Sequence, residues 1–157
     1  MIQRVQSVFL SIVVVCMVCT FFFPVLKKTN AQGATVELSY TKMTFTAKDK
    51  TQKTTPTFYM AILAALAAVT SVFSISSFKK RLLQMKLGLL NSLLMAGILA
   101  FTMFFISQGE KFIGMNIGYK SFGIGFFLPV IALVCNILAN RYIRKDERLV
   151  RESDRMR

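Results

Sequence analysis

Four stretches of about 20 residues each, 8–26, 57–77, 87–107 and 122–140, contain no Asp, Glu, Lys, Arg or His. At 1.5 Å rise per residue, a helix of that length crosses the ~30 Å hydrocarbon core of a bilayer. An uncharged run of that length has no good place on the surface of a protein in water. The pattern predicts an all-α membrane protein, a four-transmembrane-helix bundle forming a single integral membrane domain over 1–157. A mean hydropathy of +0.54, with 54% hydrophobic residues, agrees.

Charge is therefore confined to the gaps. The formal charge is +13, from 20 Lys and Arg against 7 Asp and Glu. In a water-soluble chain that excess would suggest nucleic acid. Here the basic residues flank apolar runs with no aromatic stacking platform beside them. Membrane lipids are the expected partner, and nucleic acid is not.

The densest cluster lies in the short stretch 78–86, which carries Lys79, Lys80, Arg81 and Lys86. Short loops rich in Lys and Arg stay on the cytoplasmic side. With this hinge inside, four spans put both termini in the cytoplasm, and those four side chains at the lipid headgroups. The inner side then holds twelve basic residues and the outer side eight, six of them spread over the loop 27–56. Lys27 and Lys28 run against the rule locally. A cleaved signal peptide is the rival reading of the N-terminus. The run from Val8 exceeds the ~7–15 residues of a signal's apolar region, so a retained helix is expected.

The outer loops, 27–56 and 108–121, carry period-two patterns. Val36, Leu38 and Tyr40 alternate with Thr, Glu and Ser, and after a one-residue shift Met43, Phe45 and Ala47 alternate with Thr. Ile113, Met115, Ile117 and Tyr119 alternate with Gly and Asn. The alternation predicts two short strands, or one strand with a bulge, in the first loop and a third in the second, joined in a small antiparallel sheet on the outer side, with 48–55 as a loop. Within the spans, Ala64, Ala67, Ala68, Ser71 and Ser74 form a small-residue stripe, and Gly88, Ser92, Ala96 and Ala100 form another. Such stripes let helices approach closely in lipid, so these two are predicted to meet. The tail 141–157, with seven basic and four acidic residues, reads as a cytoplasmic helical extension of the fourth span.

The head MIQRVQSVFL, the hinge FKKRLLQMKLGLLN and the end LPVIALVCNILANRYIRKDERLVRESDRMR together resemble a family of short four-helix inner-membrane proteins, typical of Bacteroidota, catalogued as a domain of unknown function. The run from Arg141 to Arg151 and the closing Asp154 to Arg157 carry most of the likeness. The resemblance implies fold and location, and no reaction or ligand.

Reactive constellations are scarce. With no His there is no imidazole base or ligand. Cys16, Cys19 and Cys135 all lie in apolar runs, as small buried hydrophobes do. Asp49 and Glu110 could pair as outer carboxylates, but solvated loop charges are the plainer reading. No Asp, Glu, Lys, Arg or His sits within the spans, as proton relays require. Asn91 and Asn136 are the main polar residues inside the spans and are predicted to hydrogen-bond between helices. The resulting expectation is a non-catalytic protein without cofactor or metal. It would act as an accessory or scaffold component with protein partners in the membrane, and homo-oligomerisation stays open. The alternative is a lipid or small-molecule binder, or a channel, with a cavity near Asn91 and Asn136.

Overall fold

The computed structural model describes residues 2–30, 33–47, 51–77, 80–114, 117–118 and 121–155. Its elements run α1 (Ile2–Cys19), β1 (Leu26–Thr29), β2 (Thr35–Leu38), β3 (Lys42–Thr46), β4 (Gln52–Pro56), α2 (Phe58–Ser76), α3 (Arg81–Ile113) and α4 (Ile124–Arg155). The protein is mostly helical, with one small antiparallel sheet. Three helices, α2, α3 and α4, are long and apolar enough to cross a membrane, while the apolar part of α1 is the shorter Val5–Cys19.

Helix 1 thus stops well before residue 26. Pro24 has no N–H to continue the ladder and disfavours helix at the residue before it. The Thr20 hydroxyl turns back to the Met17 carbonyl at 2.6 Å. The chain beyond does not leave its backbone bare. Phe22 N–H reaches the Cys19 carbonyl, Val25 N–H reaches Leu38, and the carbonyls of Pro24 and Val25 accept from Gly125 and Gly123 at the start of α4. A Cβ on Gly123 would collide with the Pro24 carbonyl, so only glycine admits this crossing.

The hinge is shorter than 78–86, because Arg81–Lys86 already belong to α3. At its far end α3 overruns 107 and continues to Ile113, where Gly114 takes a left-handed conformation (φ 69°) and returns its N–H to the Glu110 carbonyl. Ile113 is therefore helical, and the alternation around it does not make a strand at any described residue of 108–121. Met115 and Tyr119 lie outside the described residues. In α4 the span and the tail form one continuous helix.

The sheet is a four-stranded meander in the order β1-β2-β3-β4. Its inward face pairs Val36 with Phe45 and Leu38 with Met43, all buried. The opposite face pairs Thr35 with Thr46 and Glu37 with Thr44. β4 falls in the stretch read as a loop. Gln52–Pro56 is an exposed edge strand without apolar alternation, and its Lys53 and Pro56 are edge-blunting residues. The inward face rests on the overrunning end of α3, where Gly109 lies against Val36, Met43 and Ile117.

In the helical body α1 packs on α2 and α4, and α3 packs on α2 and α4. Small and polar residues point inward, and Val8, Val15, Leu66, Phe73, Leu93 and Phe104 point outward. Leu93 is 71% exposed and Phe73 61%. Large apolar side chains turned out while Ser and Asn turn in is the arrangement a lipid surround favours.

Candidate functional site

The interior of the helical body divides into two halves. Three contacts set the levels of the antiparallel helices. Asn91 Nδ2 donates to Ser71 Oγ at 2.7 Å, joining α3 to α2. Asn136 Nδ2 donates to the Gly88 carbonyl at 2.8 Å, joining α4 to α3. Phe9 stacks on Tyr142 with centroids 5.8 Å apart, joining α1 to α4.

At the Asn91 level lies a hydrogen-bonded group contributed by three helices. Asn136 Nδ2 also reaches Ser92 Oγ at 2.8 Å, and Asn91 Nδ2 reaches Asn136 Oδ1 at 3.4 Å. Ser71 returns its proton to the Ala67 carbonyl at 2.9 Å, and Thr70 points to Asn91 Oδ1 at 3.4 Å. Helix α1 gives this level apolar Val13. Towards the hinge come Ser74 of α2, Gly88 of α3 and Asn140 of α4, then Gln84 and Gln6. The four polar side chains of this set are all buried. Towards the sheet the buried polar side chains are Thr20, Thr57 and Thr102, each of which gives its hydroxyl to a backbone carbonyl. Met17, Ala64, Ala67, Met95, Ile98 and Ala132 fill that half, each fully buried. No charged side chain is buried among the described residues.

The predicted meeting of two small-residue stripes is half correct. Ala64, Ala67, Ser71 and Ser74 do face inward. On α3, Gly88 is buried, but Ala96 and Ala100 are exposed. A strict four-residue step turns about 40° per repeat around a helix of 3.6 residues per turn, so the run drifts off the contact. The inward line of α3 is instead Gln84, Gly88, Asn91, Met95, Ile98 and Thr102.

Asn91 and Asn136, singled out in the sequence, thus lie together. Asn140, one turn beyond Asn136, belongs with them; Gln6 and Gln84 do too and were missed, because the head and hinge read as solvated. A polar residue at helical spacing from Asn91 was the available signal, and Gln84 stands seven residues before it.

Of the hinge cations, Lys80 and Lys86 are exposed. Lys79 and the Arg81 side chain lie outside the described residues, as does Asp49. Glu110 is occupied in holding its own loop, since its Oε1 accepts from Ile117 N–H at 2.8 Å. Among the described residues no three His, Cys, Asp or Glu side chains group as a metal site.

A second constellation ties sheet to helix. Pro129 lies inside α4 and cannot donate to the carbonyl four residues back, that of Gly125. Tyr40, buried in the turn between β2 and β3, supplies its hydroxyl to that carbonyl at 3.3 Å. Burial holds the Tyr40 hydroxyl protonated far above the usual phenol range, so it stays a donor. The outer sheet face holds a cleft of about 310 Å³ lined by Thr35, Ser39, Thr44, Thr46 and Thr54 together with Glu37 and Lys42.

Fold and interior together define a small, mostly helical protein with three helices long and apolar enough to cross a membrane, a polar seam at one end and a sheet at the other. Residues 2–156 match the DUF4293 family, a domain of unknown function, and the chain belongs to that family. No curated protein matches it.

Proposed function

We propose that the protein is a non-catalytic, multi-pass component of a bacterial inner-membrane assembly, an accessory or scaffold subunit. It would be a four-transmembrane-helix bundle that carries its sheet on the outer side. The hinge, the start of α1 and the charged end of α4 share one end of the body, and the positive-inside rule makes that end cytoplasmic. Lys79, Lys80, Arg81 and Lys86 would then sit among lipid headgroups.

The observation that carries the reading is the mounting of the sheet. A polar, hydroxyl-rich face is held clear of the helices by the overrun of α3, while Asn91 and Asn136 are engaged in bonding helices to one another. That serves presentation of a surface to a protein partner better than it serves chemistry. The exposed tail around Leu149 is a second contact surface on the other side. Tagged protein extracted from native membranes in mild detergent should retain defined partners in fixed stoichiometry. Substituting Thr44 and Thr54 by Lys should release those held by the sheet. Migration as a lone monomer in several such detergents would end the proposal.

The alternative, a small-molecule or lipid site or channel near Asn91 and Asn136, draws support from the concentration of polar groups in one half of the interior. It predicts a ligand whose retention is lost in Asn136→Leu.

A further inference from the structure

Among the described residues, three buried side-chain atoms have no hydrogen-bond partner: Gln6 Nε2, Ser74 Oγ and Asn140 Oδ1. Their residues are 4%, 2% and 9% exposed. All three belong to the hinge-side half, and none to the half packed with Met17, Met95 and Ile98.

Their placement is not scattered. Asn91 opposite Ser71 in the antiparallel α2–α3 pair puts Ser74, three residues on, opposite Gly88. The Asn140 amide lies directly over Gly88, occupying the space a Cβ would need. Ser74 Oγ and Asn140 Oδ1 therefore flank Gly88 at one level. Phe9 opposite Tyr142 puts Gln6 opposite residue 145, five residues or about 7.5 Å along the axis from Asn140. Gln6 continues the inward line Leu10, Val13 and Met17 of α1, so it projects into the same space.

We infer that the hinge-side half of the helical interior is a blind, hydrated inlet: a file of water entering past Gln6 and ending at Ser74 and Asn140. The span holds about two or three waters at an O···O spacing of about 2.8 Å. The polar groups suit that guest. Gln6 Nε2 donates, Asn140 Oδ1 accepts and Ser74 Oγ does both, which matches a molecule able to donate and accept at once. No buried charged side chain among the described residues would compensate an ion, so a neutral guest is favoured. Beyond Ser74 the Asn91–Asn136 group has bonded itself across three helices, and the apolar layers of Met95, Ile98 and Ala132 follow. The file stops there rather than crossing.

Water-edited solid-state NMR on the full chain in liposomes tests this directly, with water as the probe. Side-chain amide protons of Gln6 and Asn140 should receive water magnetisation severalfold faster than the methyls of Ala64 and Ala132. Gln6→Leu should slow the transfer to Asn140, because it closes the mouth. Equally slow transfer to all four sites overturns the inlet. Equally fast transfer overturns its blind end. Unchanged transfer to Asn140 in Gln6→Leu overturns the route. The inference depends on a span with an aqueous hinge end, whichever compartment that is. Thiol labelling of Lys80→Cys from each side of sealed vesicles reports the compartment separately, so a wrong orientation and a dry interior give different results.

Discussion

The two halves of the helical interior are built from the same four helices and solve opposite problems. The sheet-side half is held by shape: Met17, Met95 and Ile98 fill the gaps left by Ala64, Ala67 and Ala132. The hinge-side half is held by direction: Ser71, Ser92, Asn91 and Asn136 bond across helices at 2.7–3.4 Å. In lipid the hydrophobic effect does not drive helices together, because the tails are as apolar as the side chains. Packing and hydrogen bonds are what remain, and this protein uses one in each half.

The contrast can be broken most sharply in the apolar half. Met95→Ala leaves a cavity in a tightly filled layer and should cost about 2–4 kcal/mol, read by SDS-titrated unfolding in mixed micelles. A loss no larger than that of an outward substitution such as Leu93→Ala would show that the layer is loosely packed. In the polar half, Gly88→Ala should cost about 1–3 kcal/mol by displacing the Asn140 amide. Gly88→Ala combined with Asn140→Ala should recover much of that loss. Asn91→Ala should cost about 1–2 kcal/mol in the same assay, in the range of interhelical hydrogen bonds in membranes. The smallest effect lies where sheet meets helix. Tyr40→Phe should cost about 1 kcal/mol by stranding the Gly125 carbonyl. Pro129→Ala restores a donor within α4, so Tyr40→Phe in that background should cost markedly less. An unchanged cost would show that the Tyr40 hydroxyl does not serve that carbonyl.

The apolar half was easier to read from sequence than its partner. Uncharged runs announce helices because lipid tolerates nothing else of that length, and α2 lies within a residue of its expected ends. Ends set by side-chain and backbone capping were less legible. Helix 1 stops at Cys19 because Pro24 and the Thr20 back-bond outweigh five further apolar residues, Phe21, Phe22, Phe23, Val25 and Leu26. Strand β4 carries no apolar period, because neither side of Lys53–Thr54 is covered, and its pairing with β3 comes from backbone alone. The alternation after Ile113 misled in the other direction. The fewer than two turns of α3 beyond the membrane-length run, 108–113, are held by the sheet they carry, a tertiary effect that no local pattern announces. Asn91 and Asn136 stood out against apolar neighbours, whereas Gln6 and Gln84 were camouflaged by nearby charges.

Helix α3 begins at the basic turn and ends beneath the sheet without an internal proline. Its 33 residues make a rod of about 50 Å at 1.5 Å per residue. A rod pivoting at its basic end swings its far tip by about 0.9 Å for each degree of tilt. If α3 spans a bilayer as proposed, whatever grips one leaflet's surface is thereby geared to what stands above the other. On the proposed topology, a partner clamping Thr44 and Thr54 would be felt mechanically at the basic end of the rod, with no signal having to pass through the lipid between.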